Sequence, residues 1–181
     1  MPAKSTPIFV SCNSSRRFWI ILRIVADIDV TVAAIIERDG RFLVVEELAA
    51  GRRVFNQPAG HLESGESLLE AAVRETLEET GHRFAPSSLV GVYLWQSPEA
   101  GTTFLRVAFC GAAEPPKGPV ELDEGILAAH WLTRSQMLSR APELRSPMVL
   151  RCVDDYLAGR RFPLTCLTHL AGSLAPKLAQ A

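Results

Sequence analysis

Residues 60–82 read Gly60-His61-Leu62-Glu63-Ser64-Gly65-Glu66-Ser67-Leu68-Leu69-Glu70-Ala71-Ala72-Val73-Arg74-Glu75-Thr76-Leu77-Glu78-Glu79-Thr80-Gly81-His82. The stretch predicts a loop followed by a helix. Ser67 and Glu70 form a Ser-x-x-Glu capping box, which places the helix start at Ser67. Gly81 is placed to stop it, because glycine takes the left-handed conformation without steric penalty. Leu69, Ala72, Val73, Thr76 and Thr80 recur at steps of three and four and predict one buried face. Glu75, Glu78 and Glu79 fall on another face.

That acidic face is poor scaffolding. Like charges at i,i+4 repel by about 0.2–0.5 kcal/mol. Glu78 and Glu79 also sit near the helix C-terminus, where the macrodipole disfavours anions. An isolated Glu-x-x-Glu-Glu is most simply a solvated helix surface. A hard divalent cation changes that balance, because Mg²⁺ prefers carboxylate oxygens and keeps waters and substrate phosphates as its other ligands.

The wider spacing favours the second explanation. The pattern Gly60-x5-Glu66-x7-Arg74-Glu75-x2-Glu78-Glu79-x-Gly81 specifies seven positions. At roughly 5–7% usage per residue type, it arises by chance on the order of 10⁻⁸ per starting point. It resembles the Nudix box, the signature of the Nudix hydrolase family. Thr76 and His82 depart from that signature, which usually has aliphatic residues at both places. The resemblance implies an α/β (α+β) fold, an α/β/α sandwich with a mixed sheet. It also implies Mg²⁺ as cofactor, with Mn²⁺ able to substitute. Glu75, Glu78 and Glu79 would be the metal ligands, joined by the Gly60 carbonyl. Glu66 and Arg74 would brace loop and helix through an ion pair. Glu70 and Arg74 also form an ordinary i,i+4 helix pair.

Outside the box, composition is that of an ordinary globular core, 48% hydrophobic and 22% charged in 181 residues. The net charge of −1 gives no global attraction to polynucleotides or anionic membranes. Cys12, Cys110, Cys152 and Cys166 are widely spaced and read as reduced core thiols of a cytoplasmic protein. No apolar run has the length of a membrane span. Residues 1–28 are an extension expected to be poorly ordered, its first 26 residues free of acidic side chains. An organellar transit peptide is the other account of that composition. The domain is expected over residues 29–168, with a tail at 169–181.

Within the domain, residues 30–37 and 41–47 predict strands joined by the Asp39-Gly40 hairpin turn. Residues 54–57 predict a short strand stopped by Pro58. After the helix, a turn at 86–88 leads to strands over 89–96 and 102–112. A Pro/Gly-rich loop follows at 114–124, then a strand at 126–132. Thr133 caps a short helix to about Ser139, and Ser146-Pro147 opens another over 147–158, stopped by Gly159.

A phosphoric anhydride resists attack because its oxygens are anionic. A bound Mg²⁺ offsets that charge and lowers the pKa of a bound water. A nearby carboxylate then takes the proton. The candidates are Glu78, Glu75 and the loop carboxylates at 121–124, Glu124 foremost. Arg52, Arg53 and Arg106 are cations that could meet phosphates. Arg106 interrupts an apolar strand, where an unpaired charge is costly, so a pairing or ligand role is expected. His61 could touch substrate, and Trp95 could stack on a base or pack in the core.

Phe42-Leu43-Val44-Val45-Glu46-Glu47, Asn56-Gln57-Pro58-Ala59-Gly60-His61-Leu62-Glu63, Phe104-Leu105-Arg106 and Arg145-Ser146-Pro147 resemble the NudJ-type phosphatase branch of the family. The candidate substrate contacts are then Arg53, His61 and Arg106, with Asn56 and Gln57 from these stretches; Arg53 and the loop Leu122 to Gly125 depart from that branch. It implies hydrolysis of nucleoside tri- and diphosphates and of a hydroxymethylpyrimidine diphosphate, with release of inorganic phosphate. The expected partner is a small phosphorylated metabolite, and the expected assembly a monomer or homodimer. Two alternatives stand beside it: a house-cleaning nucleotide pyrophosphohydrolase releasing pyrophosphate, and a non-catalytic ligand-sensing module. Three retained and mutually repelling glutamates argue against the last.

Overall fold

The computed structural model describes residues 28–98 and 101–170. The extension before residue 28, with Cys12, and the tail beyond residue 170 lie outside the described residues. So do Glu99 and Ala100, between the strands expected over 89–96 and 102–112.

Among the described residues eight strands form two sheets. The mixed sheet has the order β5 (Ala59–His61), β1 (Ile28–Ile35), β7 (Thr103–Glu114), β6 (Arg83–Gln96). Only β1 and β7 run parallel in it. The antiparallel sheet centres on β3 (Arg41–Ala49), which pairs β2 (Glu37–Arg38), β4 (Arg52–Asn56) and β8 (Ile126–Thr133). Asp39 and Gly40 take φ of 51° and 73°, as a type I′ hairpin turn requires.

β1 and β7 are apolar on both faces because both faces are covered. On one side Val32, Ala34, Val107 and Phe109 pack with Ala71 and Ala72 of α1 (Leu68–Thr80). On the other, Ala33, Ile35, Ala108 and Cys110 pack with Val149, Cys152 and Val153 of α3 (Met148–Leu157). The mixed sheet thus lies between helices, as expected. A short α2 (Arg134–Ser139), capped by Thr133 in a full capping box, contributes Met137 to the same core as α3.

Three boundaries differ from the sequence expectation. Residues 86–88 do not turn the chain. β6 runs through them as one long edge strand with irregularities at Pro86/Ser88 and Leu89/Gly91. An edge strand tolerates a proline, and a bulge absorbs the missing ladder bond. Gly111 opposite Pro86 makes the crossing possible, since a Cβ there would run into the Ala85 carbonyl. Second, Ser146 does not cap α3. Pro147 stands at the N-cap without a side-chain bond, and Ser146 is buried with its hydroxyl unpartnered. Third, the three-residue β5 was not anticipated, being too short for any alternation to show. Among the described residues no helix is long and apolar enough to cross a membrane.

Candidate active site

α1 begins as its sequence dictates. Ser67 Oγ accepts from Glu70 N at 3.2 Å, and Glu70 Oε2 accepts from Ser67 N at 2.8 Å. Glu70 is therefore engaged in the cap, and Arg74 finds other partners. The helix ends at Gly81, φ 69°, whose N–H donates to Leu77 O at 2.7 Å. Side chains could not replace that glycine, because a Cβ would strike Val120 from the 114–124 loop.

The two polar threonines of the inner face are satisfied within the helix. Thr76 Oγ1 donates to Ala72 O at 2.7 Å and Thr80 Oγ1 to Thr76 O at 2.6 Å. His82 is buried, with Nδ1 3.0 Å from Thr80 O and its ring edge-on to Trp131. Both departures from the box are thereby accommodated.

Arg74 organises the solvent side. Its Nε and Nη2 grip Glu66 in two bonds of 3.0 and 2.7 Å, the planar fork geometry that gives arginine its strength. Nη1 reaches Glu75 Oε1 at 2.8 Å and Glu78 Oε2 at 3.0 Å, and Nη2 also donates to His61 O at 3.1 Å. Glu66 is held below the usual carboxylate range by Arg74, and Arg74 is pushed up by Glu66 in return.

The glutamates do not share one solvated face. Glu79 lies on the buried side of α1, 7% exposed, with a single backbone donor, Ala59 N, at 2.8 Å from Oε2. Burial pushes its carboxyl up to about 8, and the charges of Glu75, Glu47 and Asp123 add to the effect. Glu75 is half-buried and also raised, by burial first, against the pull of Arg74. Glu78 is the most open of the three, its side chain 38% exposed.

β5 brings backbone to these carboxylates. Val32 of β1 pairs Gly60, and a Cβ on Gly60 would fall on the carboxyl group of Glu75. Only glycine allows that approach. Among the described residues no three His, Cys, Asp or Glu side chains converge as a ready metal cluster. The donor set nevertheless suits a hard divalent cation: carboxylates whose anionic forms are destabilised by burial and by each other, a backbone cradle at Gly60, and an unpartnered buried oxygen, Glu47 Oε1.

The remaining candidates divide. Arg53 is exposed and paired with Glu46 at 3.3 Å. His61 is exposed, its Nε2 3.7 Å from Asp29. Glu124 is exposed on its loop, and the loop carboxylate whose charge acts on Glu75 and Glu79 is Asp123. Asp123 N also donates to Glu78 O at 3.2 Å, which docks the loop on α1. Asn56 and Gln57 are buried, as is Arg106, and the geometry gives these three to one another rather than to an open surface. Burial lowers the pKa of Arg106. Trp95 stacks on Phe104 at 5.8 Å.

Asp123 and Glu47 were not singled out from the sequence. Asp123 stands in the acidic run already noted. Glu47 ends the apolar strand that precedes the box, and only the pairing of β3 with β4 and β8 brings it inward.

The NUDIX domain profile matches residues 27–152. Phosphatase NudJ of Escherichia coli strain K12 is 41% identical over 135 residues, covering 75% of this chain and 87% of that protein. Phosphatase NudJ of Shigella boydii matches with the same identity and coverage. Among solved structures, a NUDIX hydrolase from Nitrosomonas europaea is 45% identical with a TM-score of 0.78, covering 80% of this chain and 99% of that one.

Proposed function

The chain belongs to the Nudix family of hydrolases, and on that premise we propose that it is a Mg²⁺-dependent phosphatase of small nucleoside di- and triphosphates and related diphosphate metabolites, releasing inorganic phosphate. Its reaction class is hydrolysis of phosphoanhydride bonds. The observation that carries the proposal is the junction of β5 with α1. There Ala59 N–H meets Glu79, and the Gly60 backbone lies against Glu75.

Glu75, Glu78, Glu79 and the Gly60 carbonyl are the groups that would hold the cation. When bound, a divalent cation neutralises phosphate charge and supplies a water of lowered pKa. Glu78, the most exposed of the three, is assigned the proton from the attacking water. Arg74 orients Glu75 and Glu78 from one nitrogen and is itself fixed by Glu66. Glu79, bonded to Ala59 N, sets the distance between helix and strand. Asp123 adds negative charge at the C-terminal end of α1. The resemblance to phosphatases named NudJ supports orthophosphate as product.

The test is a panel of nucleoside di- and triphosphates and pyrimidine diphosphates with Mg²⁺, Mn²⁺ or EDTA, with orthophosphate and pyrophosphate measured separately. Orthophosphate with nucleoside diphosphate from a triphosphate is expected. Pyrophosphate with monophosphate would overturn the phosphatase assignment in favour of a pyrophosphohydrolase, and no turnover with any compound would leave a ligand-sensing domain.

A further inference from the structure

Arg106 is the buried charge that this chemistry leaves without a task. It lies mid-strand in β7, 4% exposed, between Thr31 of β1 and Tyr93 of β6. Its Nη1 donates to Asn56 Oδ1 and to Gln57 Oε1, each at 3.3 Å. Among the described residues no carboxylate stands within ion-pair distance of it, and its Nε is unpartnered. A guanidinium taken out of water, hydrogen-bonded only to neutral oxygens and favoured by the charges of Glu47 and Glu79 without a direct ion pair, is a weak contributor to stability. A buried aliphatic side chain would serve the core better.

What Arg106 grips is more telling than what it costs. Asn56 ends β4, paired with Val45 in the antiparallel sheet. Ala59 begins β5, paired with Ala33 in the mixed sheet. Residues 56–59 are therefore the crossing from one sheet to the other. Gln57 Nε2 donates to Val149 O at 2.6 Å, which ties the crossing to α3. Ala34 N donates to Pro58 O at 2.9 Å. Pro58 has no N–H to give, so the side chains of Asn56 and Gln57 do much of the anchoring. The next two residues are the ones that meet Glu79 and Glu75.

We propose that Arg106 is a positioning residue of the hydrolytic site. Through Asn56 and Gln57 it fixes the crossing between the sheets, and with it the Ala59 N–H on Glu79 and the Gly60 backbone against Glu75. It touches no substrate. The proposal rests on the assignment of these glutamates to hydrolysis, but one arm of its test does not depend on activity.

The experiment uses the full chain with Arg106→Met, which keeps apolar volume and removes the donors. Small misplacements of reacting groups are expensive, so kcat should fall about 30- to 100-fold while KM stays within about threefold. Hydrogen exchange of the Ala59 amide should quicken by at least about tenfold, while Val107 and Phe109 in β7 keep their protection. Arg106→Lys, which retains a donor, should recover part of both changes. Asn56→Leu keeps the guanidinium but removes one acceptor, and should move the same readouts in the same direction even if Arg106→Met does not fold. A kcat within about threefold of wild type would overturn the proposal. So would a rise in KM at unchanged kcat, which marks a substrate contact, or a uniform loss of protection, which marks a general stabiliser. Should the wild type hydrolyse nothing in the panel, the functional assignment fails, and the Ala59 amide still decides whether Arg106 positions the crossing.

Discussion

Asp155 on α3 and Glu79 on α1 are hidden to nearly the same degree, 5% and 7% exposed, and are surrounded in opposite ways. Asp155 accepts from Tyr93 Oη at 3.1 Å, Arg151 Nε at 3.0 Å and Arg160 Nη1 at 3.5 Å. Burial pushes its carboxyl up, but the bonds from Arg151 and Tyr93 outweigh it and leave the pKa lowered. Glu79 has one backbone N–H and a ring of other carboxylates, and its pKa is raised. The first carboxylate is balanced within the chain, and it pins β6 to α3. The second has no arginine bonded to it and lies among the charges of Glu75, Glu47 and Asp123, the environment expected of a carboxylate proposed to hold a cation. Residue type and burial therefore do not distinguish a structural acid from one proposed to serve the reaction. The count of donors and cations around it does.

Substitutions at the two sites should part activity from stability. Glu79→Gln is expected to lower kcat by about 10³-fold, on the scale of losing a group that acts on the transition state, and to leave the melting temperature of EDTA-treated protein unchanged or higher. Circular dichroism melts and steady-state assays check both halves. A variant with near wild-type kcat would place Glu79 with Asp155 among structural acids.

Gly60→Ala should follow, with about 10²-fold lost because the new methyl displaces the Glu75 carboxylate. The fold should survive, since Gly60 does not have a positive φ. Asp155→Asn reverses the pattern. It should cost about 1–3 kcal/mol of stability, because two arginines and a tyrosine lose their shared anion in a buried place. kcat should stay within about twofold. Urea unfolding measures the first and initial rates the second, and a large drop in kcat without destabilisation would erase the contrast.

Much of this is legible in the sequence alone. The capping box, the Gly81 stop and the spacing of the glutamates are local features, and local rules place them. The Asp39-Gly40 turn and the apolar strands β1 and β7 are local in the same sense. What sequence could not supply depends on pairing between distant segments. A helical wheel sets Glu79 beside Ala72 on the inner face, but the amide that meets it there, Ala59 N of β5, comes from strand pairing. Asn56, Gln57 and Arg106 read as polar groups near a site. Their mutual bonds arise because the chain changes sheets at residues 56–59, and nothing in a stretch of four residues announces such a crossing. Asp123 was one of several acids in a loop until its amide met the C-terminal end of α1.

The smallest effect separates the two acids by sign. Glu79 has a folded-state pKa of about 8, above the ordinary carboxylate value of the unfolded chain. Below the unfolded pKa both states are protonated there and its contribution to stability is fully present. As pH rises, the unfolded chain releases this proton first, so folding loses stability until the folded carboxyl also ionises near 8. Asp155 is lowered instead, so its contribution is present above the unfolded pKa and is lost as pH falls through the folded one. Melting temperatures of EDTA-treated protein across this range should therefore decline less steeply toward pH 8 in Glu79→Gln than in wild type. In Asp155→Asn the acid limb should flatten. Mg²⁺ should act on the wild type as Glu79→Gln does, by removing the penalty of an ionised Glu79. If the Glu79 variant keeps the wild-type slope, that carboxyl is not the group left short of charge, and the contrast between the two acids does not hold.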